Sequence, residues 1–310
     1  MQGSKITVIG ASIADISGQV SKTLILGDSN QGKVTITPGG VGRNVAENLA
    51  RLDCSIEFIS AFGTDLFGTI LTDKCKETNT KIEHSYFSDT ESTPIYLSVN
   101  NIGGDLALAV ADTEVTRHIT PDFIRSKHEI LNSSEILVFE TNLTQETIDY
   151  ICETYSHKAL FIDLVSSQKS LKIINLIDKF HTIKPNLIEA EALSGISYKS
   201  DDDLPKMLDF FLNKGVSQVF ITLGQRGVYY GNAEERGFYE SVNLEPVSTC
   251  GAGDSFLSGV IFAFSNKKNI RESAQFGTAM SIVTLAENSA VSDKVNTKYI
   301  NDIITKYKLC

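Results

Sequence analysis

Short apolar segments alternate with amphipathic segments along most of this chain, and this alternation limits its fold more than any other feature. Runs rich in β-branched and aromatic residues predict buried strands at 6–9, 56–62, 135–139, 160–163, 182–184 and 219–223. Apolar residues at helical spacing predict helices at 41–52, 67–78, 145–155, 187–194 and 204–214. Apolar strands that alternate with helices are typical of a covered parallel sheet. We therefore predict an α/β fold of three layers, with a central, mostly parallel sheet flanked by helices.

Two places break this alternation and predict a second, smaller sheet. Residues 23–37 form a hairpin pattern of TLIL, GDSNQG and KVTIT, and residues 94–110 form another strand pair. Apolar and polar residues alternate in these strands, as in a sheet with one face in water. We predict a β-lid at about residues 16–38 and 92–111, within a single domain that spans 1–310. Residues 252–307 are predicted to be mostly helical.

The turn of the first hairpin, GDSNQGKV at residues 27–34, nearly matches a P-loop. Val34 stands where that motif needs a Ser or Thr hydroxyl for Mg²⁺. A P-loop must also lead into a helix, because the helix N-terminus supplies part of the anion site. Here Lys33 is followed by Val-Thr-Ile-Thr-Pro, which favours a strand. The sequence therefore indicates a hairpin turn, and Lys33 is free to face solvent or a substrate.

The strongest candidate for chemistry is VSTCGAGDSFLSG at residues 247–259. Gly251, Ala252 and Gly253 precede Asp254 and open a long apolar helix. Free N–H groups at a helix start attract anions, and small residues let a ligand approach the backbone. Phosphoryl transfer needs such an anion hole and a base beside the attacking hydroxyl. Taken alone, these residues also fit a glycine-rich helix start with Asp254 as an ordinary first-turn residue.

A second stretch, TPGGVGRNVAENLARL at residues 37–52, places a sharp turn before a helix. Gly39 and Gly40 would let hydroxyl groups approach the backbone there. The first polar residues of the helix are Arg43 and Asn44, and the Asn44 amide offers both a donor and an acceptor. A plain turn followed by a helix cap explains the same residues.

Further polar residues lie at the predicted carboxyl ends of strands, where open α/β sheets bind ligands. Asp15 follows the first strand and Glu140 follows the strand at 135–139. Asn186 and Glu189 lie one turn apart at the start of a helix, a spacing that a capping box also explains. The stretch TLGQRG at 222–227 ends another strand in a glycine turn, which a simple loop also explains.

Composition disfavours several classes of partner. The net charge is −10, which disfavours binding to nucleic acid or to an anionic membrane. The five cysteines form no CxxC pair, which indicates a reducing compartment without disulfides or structural zinc. The sequence shows no signal peptide and no apolar run of membrane-spanning length. We expect a cytoplasmic protein that acts on a small molecule.

Four stretches, taken in their order along the chain, resemble one family. They are PGGVGRNVAENLARL, KPNLIEAEALSG, TLGQRGVYY and CGAGDSFLSG. In these the chain resembles the ribokinase-like (pfkB) carbohydrate and nucleoside kinases over essentially its whole length. The resemblance implies a ribokinase-like fold with a small β-lid over the sugar site. It also implies transfer of the ATP γ-phosphoryl group to a hydroxymethyl group, with Mg²⁺ as the metal.

The resemblance also implies roles for individual residues. Asp254 would be the base, and the three small residues before it would form the anion hole. Glu189 would act on Mg²⁺ and its waters. The residues implied for the nucleotide are Asn186, Thr222, Gly224, Gly227 and Asn288. The residues implied for the acceptor are Asp15, Gly39, Gly40, Arg43, Asn44 and Glu140, with Asn30 and Thr93 as partners for a base.

Within the family, the lid stretch GDSNQGKVTITPGGVGRN is similar to the pseudouridine kinase branch, as are KPNLIEAEALSGI and ESTPIYLSVNNIGG. This likeness implies phosphorylation of the 5′-hydroxyl of pseudouridine. Three alternatives stay open: another ribose-bearing nucleoside, a free sugar such as ribose or fructose, and a non-catalytic binding protein on the same fold. A panel of nucleosides and sugars would separate them.

Some positions depart from the family pattern. Ile13 stands where related kinases often have Asn for a sugar hydroxyl. Ser248 replaces an Asp that helps several relatives to bind a monovalent cation, and Cys250 replaces a common Thr. The sequence therefore leaves activation by K⁺ open. It also leaves the oligomeric state open, although the edges of a projecting lid are often covered by a second subunit, as in a homodimer through the lid.

Overall fold

The computed structural model describes residues 4–309, which form a large sheet of eight strands, a small sheet of four strands, a separate pair of strands and surrounding helices. The strands are β1 Lys5–Ile9, β2 Ile13–Val20, β3 Gly32–Gly39, β4 Ser55–Ile59, β5 Ala61–Gly63, β6 Tyr86–Ser88, β7 Ile95–Asn100, β8 Leu106–Asp112, β9 Ile136–Glu140, β10 Ala159–Asp163, β11 Thr182–Ile183, β12 Gln218–Thr222, β13 Gly227–Gly231 and β14 Arg236–Glu240. The helices are α1 Val41–Arg51, α2 Leu66–Glu77, α3 Pro121–Ser126, α4 His128–Ser133, α5 Gln145–Thr154, α6 Ser167–Ser170, α7 Leu187–Ser194, α8 Leu204–Asn213, α9 Ala252–Ser265, α10 Ile270–Leu285 and α11 Thr297–Lys306.

The large sheet has eight strands in the order β14-β13-β12-β11-β10-β9-β1-β4. In this sheet, β4, β1, β9, β10, β11 and β12 each run parallel to their neighbours. The strands β13 and β14 are antiparallel additions at one edge. All six predicted strands are present, and the run at 56–62 divides into β4 and β5. The prediction of a mostly parallel sheet is confirmed.

Helices cover both faces of this sheet, because the strands β1, β4, β9, β10 and β12 bury apolar side chains on both sides. On one face, Leu49 of α1 and Val260 of α9 pack with Val8 in one apolar cluster. On the other face, Ile148 of α5 and Phe211 of α8 belong to a second cluster with strand residues of β1, β9 and β10. The three predicted layers are therefore present. Within residues 4–309, the structure contains no helix long and apolar enough to cross a membrane.

The small sheet has the order β3-β2-β7-β8 and differs from the sequence prediction in one strand. Residues 23–26 are not a strand; β3 instead pairs with β2, from Ile13 opposite Gly39 to Val20 opposite Gly32. This long pairing leaves residues 21–31 as a loop, which the Asn30 side chain closes on the backbone of Ile25. The second predicted strand pair is confirmed as β7 and β8.

The register of the small sheet gives it one apolar face and an opposite face that carries Asp15. Ile16 lies beside Ile36 on one side and Leu97 on the other, and Leu97 lies beside Val110. Asp15 lies in the next row, and because side chains alternate along a strand it points to the opposite face. The apolar face is open: Val110 is 56% exposed and Ile36 is 47% exposed.

Candidate active site

Asp254 lies in the first turn of α9, where two distant sequence motifs meet. Its carboxylate Oδ2 accepts a hydrogen bond of 2.7 Å from Nδ2 of Asn44, a residue 210 positions earlier in α1. Both side chains are buried. This bond fixes Asp254 between the start of α9 and the glycine turn that precedes α1. The GAGD and PGGVGRN motifs therefore form one site.

The surroundings of Asp254 make it a stronger base than an ordinary aspartate. Burial, followed by the nearby charge of Asp163, raises the pKa of Asp254 to about 7. The hydrogen bond from Asn44 and the positive charges of Lys184 and Arg43 act in the opposite direction. A carboxylate in water has a pKa of ~3.9, whereas a general base works best when its pKa lies near the working pH.

The N-terminus of α9 has the geometry of an anion site. Gly251 precedes the helix with φ 76°, in the left-handed region that glycine adopts at little cost. No side chain caps this helix end, so N–H groups of its first turn stay available for a ligand. Ala252 and Gly253 of that turn line a cavity of about 260 Å³.

Residues from β12 and β13 line the same cavity. Thr222, Gly224 and Gly227, which the sequence assigned to the nucleotide, all contribute to its wall. Most of the surface of the remaining wall is apolar, with Val242, Leu244, Pro246, Phe256 and Leu285, and Gln225, Ser241, Thr249, Thr278 and Ser281 add polar side chains. A mostly apolar cleft with several polar groups suits a ring system attached to a charged chain. Asn288 is exposed and does not line the cavity.

Asn186 and Glu189 form a complete capping box at the start of α7. The Asn186 Oδ1 accepts from the backbone N–H of Glu189 at 2.9 Å, and Glu189 Oε2 accepts from that of Asn186 at 2.8 Å. The capping explanation is therefore correct, and it leaves the second carboxylate oxygen of Glu189 for another partner. Burial raises the pKa of Glu189, and the charge of Lys184 opposes this.

The residues near Glu189 fit Mg²⁺ better than a metal held by protein alone. Among residues 4–309, the structure contains no group of three or more His, Cys, Asp or Glu side chains arranged to hold a metal ion. Mg²⁺ usually binds through one or two carboxylates, several waters and the phosphates of its substrate. Glu189 is buried, and its charge acts on Lys184, whose ammonium lies against the first turn of α9, so it could supply one of these carboxylates.

Asp15 lies against the glycine turn that precedes α1. A Cβ atom on Gly39 would overlap the carboxylate of Asp15, and one on Gly40, where φ is 92°, would overlap the backbone at Ala11. Burial raises the pKa of Asp15 to about 6, although the charge of Arg43 lowers it. The charges of Asp15 and Asp254 both raise the pKa of the Cys250 thiol, after burial itself.

Arg43 supports this turn from behind. Its Nε donates to the carbonyl of Gly39 at 3.0 Å, and its Nη2 donates to that of Pro38 at 2.9 Å and to Asn44 Oδ1. It also forms a buried ion pair with Glu47. These contacts use the guanidinium within the chain, so the structure places Arg43 as a residue that positions Asn44 and the turn.

Three other residues assigned to the acceptor use their polar groups elsewhere. Glu140 is 1% exposed and accepts from the backbone N–H groups of Ala11 and Asn142. The Thr93 hydroxyl is buried and donates a hydrogen bond of 2.8 Å to the Asp65 carboxylate, which ties two loops together. The Asn30 amide closes its own loop. Within residues 4–309, none of these three polar groups hydrogen-bonds to the Asp254 carboxylate, which accepts from Asn44.

Sequence reasoning missed two residues beside Asp254, namely Lys184 and Asp163. Their side chains are buried, and Lys184 Nζ lies 3.5 Å from Asp163 Oδ2. Asp163 ends β10, and Lys184 directly follows β11, the neighbouring parallel strand. Polar residues at the carboxyl ends of adjacent parallel strands meet at one edge of a sheet. Both positions carried this signal in the sequence.

An α/β domain with an uncapped helix start, an apolar cleft and a buried carboxylate has the parts that phosphoryl transfer to a small alcohol requires. The chain belongs to the pfkB family of carbohydrate kinases, whose model matches residues 4–297. Membership of this family implies an ATP-dependent phosphotransferase.

Individual relatives cover nearly the whole chain. The chain is 29% identical to the pseudouridine kinase of Escherichia coli (strain K12), over 91% of this chain and 90% of that protein. The structure is similar to a carbohydrate kinase from Agrobacterium tumefaciens, with a TM-score of 0.86, 24% identity and 97% of both chains covered. It is also similar to Arabidopsis thaliana ribokinase complexed with ribose and ATP, with a TM-score of 0.86, 17% identity, and 98% of this chain and 99% of that chain covered. The two structures show a shared ribokinase-like fold.

Proposed function

We propose that this protein transfers the γ-phosphoryl group of ATP to the 5′-hydroxyl of pseudouridine. The observation that carries the reaction type is the buried Asp254 carboxylate, which Asn44 holds beside the uncapped start of α9. The likeness to the E. coli pseudouridine kinase supports the acceptor. The ATP phosphates would lie at the first turn of α9, with the adenine ring in the apolar cleft beside it.

In this proposal each group at the site has a separate task. Asp254 accepts the proton of the attacking hydroxyl as that oxygen bonds to phosphorus. The N–H groups at the start of α9 stabilise the charge on the transferring group, and Asp15 binds ribose hydroxyls beside Gly39. When bound near Glu189, Mg²⁺ would neutralise charge on the phosphates. The small sheet covers the acceptor and excludes water, which is the task of a lid.

The small sheet offers groups that a nucleoside would use and a free sugar would not. Asp15, Ser17 and Gln19 alternate onto the same face of β2. Asn100 of β7 donates to the Ser17 hydroxyl at 2.9 Å, which leaves the Asn100 carbonyl oxygen for another partner. A base attached to a ribose at Asp15 would extend along this polar row. We propose that Ser17 and Asn100 contact the base edge, in place of Asn30 and Thr93.

A panel of acceptors tests the proposed substrate. We expect kcat/KM, measured by ADP release, to be highest for pseudouridine among pseudouridine, uridine, guanosine, ribose and fructose. Running the panel with and without K⁺ also decides whether a monovalent cation activates the enzyme. Faster turnover of ribose would exclude the nucleoside assignment, and tight binding without transfer would indicate a binding protein.

Asn100→Ala should raise the KM for pseudouridine about tenfold, the effect of losing ~1.4 kcal/mol of binding, and leave the KM for ATP unchanged.

The raised pKa of Asp254 predicts a pH dependence. Since the base must be deprotonated, we expect kcat/KM to fall as pH drops through about 7. Asp163→Asn should move this fall to lower pH, because the Asp163 charge raises the pKa of Asp254. Initial rates between pH 5.5 and 9 at saturating Mg-ATP would show both effects. A profile that is flat down to pH 5.5 would contradict the role of Asp254.

We propose that a second copy of the chain covers the apolar face of the small sheet. Val34, Leu97 and Leu108 are 68%, 41% and 57% exposed on this face. Large apolar patches and open strand edges are usually covered in a soluble protein. Sedimentation velocity should therefore show a homodimer that Leu108→Glu converts to a monomer. A wild-type monomer at micromolar concentration would exclude this arrangement.

A further inference from the structure

Lys184 is a buried cation to which the steps above give no task. Its side chain is 6% exposed, and a lysine is rarely buried to this degree without a strong reason. Among residues 4–309, Asp163 is the one carboxylate within 4.0 Å of its ammonium group, and the Nζ–Oδ2 distance is 3.5 Å. This single, rather long ion pair leaves hydrogen-bond capacity, because an ammonium has three N–H donors.

The surrounding charges keep Lys184 protonated. Burial lowers its pKa, but the carboxylates of Asp163, Glu189 and Asp254 outweigh burial and hold the pKa above its ordinary value. The charges of three carboxylates therefore act on one buried cation. When all three are ionised, their negative charge exceeds that of the ammonium, and a further cation such as Mg²⁺ would balance it when phosphates are bound.

The ammonium group lies beside the anion site itself. A Cβ atom on Gly253 would be 3.4 Å from Lys184 Nζ, so the ammonium lies against the first turn of α9. Gly253 also lines the cavity assigned to the nucleotide. The missing side chain at Gly253 therefore leaves the space between the ammonium and that cavity open.

We propose that Lys184 contacts the transferring phosphoryl group of ATP and neutralises its charge, with Asp163 as the residue that positions the ammonium. This inference rests on the proposed phosphotransferase function. The bond between the γ-phosphorus and the β–γ bridging oxygen breaks, and a bond to the acceptor oxygen forms. The hydroxyl proton goes to Asp254, and Lys184 keeps its protons throughout. Because ADP lacks the γ-phosphate, Lys184 should distinguish ATP from ADP.

Lys184→Met tests this role with a side chain of similar size and no charge. We expect kcat to fall about 100- to 1000-fold, the usual effect of losing one group that stabilises transition-state charge. The affinity for ATP, measured by calorimetry, should fall about tenfold, while the affinity for ADP changes less than twofold. The apparent pKa of Asp254 in the pH–rate profile should rise, because the Lys184 charge lowers it.

Lys158→Met is the matched control. Lys158 is also partly buried, and its ammonium donates to two backbone carbonyls at 2.8 Å, but it precedes β10 at the opposite edge of the sheet from Asp163. This variant should lose stability without changing the ratio of ATP to ADP affinity. Lys184→Gln provides a second uncharged variant if the methionine variant folds poorly.

Three results would overturn the proposal. They are a kcat within threefold of wild type, an equal loss of ATP and ADP affinity, and failure of both Lys184 variants to fold while Lys158→Met folds. The last result would make Lys184 a purely structural partner of Asp163. The ratio of ATP to ADP affinity needs no acceptor, so it tests Lys184 even if the acceptor panel excludes pseudouridine.

Discussion

Replacing Asp254 with asparagine should lower kcat by about two to four orders of magnitude, the usual loss when a general base is removed. Asparagine has nearly the same shape, and its amide oxygen can still accept the hydrogen bond that Asn44 donates to Asp254 Oδ2. The variant therefore keeps the geometry of the site and loses only the ability to take a proton. Initial rates with ADP detection at pH 8 measure this effect directly.

The stability of Asp254→Asn separates a catalytic role from a structural one. Burial raises the pKa of Asp254 to about 7, so its folded-state pKa lies above the unfolded value of ~3.9. The folded state then binds more protons than the unfolded state between these values, and this carboxyl lowers stability as pH rises through that window. The neutral amide avoids this cost. The melting temperature of the variant at pH 8 should equal or exceed that of the wild type.

Asp203→Asn is expected to show the opposite pattern. Asp203 is partly buried, and its carboxylate accepts from the backbone N–H groups of Lys199 and Ser200. Hydrogen bonds from Lys206 and from this backbone lower its pKa to about 2, so its contribution to stability is present above pH ~4 and is lost as pH falls towards 2. This variant should keep full kcat and lose some stability.

Near-full activity of Asp254→Asn would exclude Asp254 as the base.

The sequence predicted the large sheet well because its strands are buried on both faces. Such strands appear as near-continuous apolar runs, and all five residues of β9 are in fact buried. The small sheet is different because its strands are only partly covered. TLIL at residues 23–26 has higher strand propensity than IADISGQV in β2, which contains Asp15, Ser17 and Gly18. Pairing with β3 determined that β2, and not residues 23–26, forms the strand. A local sequence pattern does not show which pairing partner is available.

The site was predicted motif by motif, but its chemistry depends on contacts that no motif contains. The sequence placed Asp254 at a helix start, yet the hydrogen bond from Asn44 and the charge of Asp163 come from other elements. The raised pKa of Asp254 results from burial, which four residues of sequence do not reveal. Conversely, Glu140 lies at the carboxyl end of β9, as a residue that binds the phosphoryl acceptor would. Its carboxylate instead accepts hydrogen bonds from the backbone N–H groups of Ala11 and Asn142.

Gly251→Ala should damage both stability and catalysis. Gly251 has φ 76°, where an alanine costs about 1–2 kcal/mol. Its Cβ atom would also overlap the carbonyl group of Ala290, so the backbone on one side of the contact must move. The N–H groups of the anion site follow Gly251 directly, and a displacement of about 1 Å there can cost about 100-fold in rate. We expect kcat to fall by about that factor, with a lower urea midpoint.

Gly195→Ala separates the strain of a positive φ from the overlap with Ala290, because a variant at Gly195 has only the strain. Gly195 follows α7 with φ 70°, and a Cβ atom there would meet nothing within 4 Å. This variant should therefore lose about the same 1–2 kcal/mol of stability and keep the wild-type kcat. If Gly251→Ala loses no more activity than Gly195→Ala, the close contact with Ala290 does not hold the anion site in place. If only Gly251→Ala loses rate, and its urea midpoint falls further than that of Gly195→Ala, the position of this backbone turn is what catalysis requires.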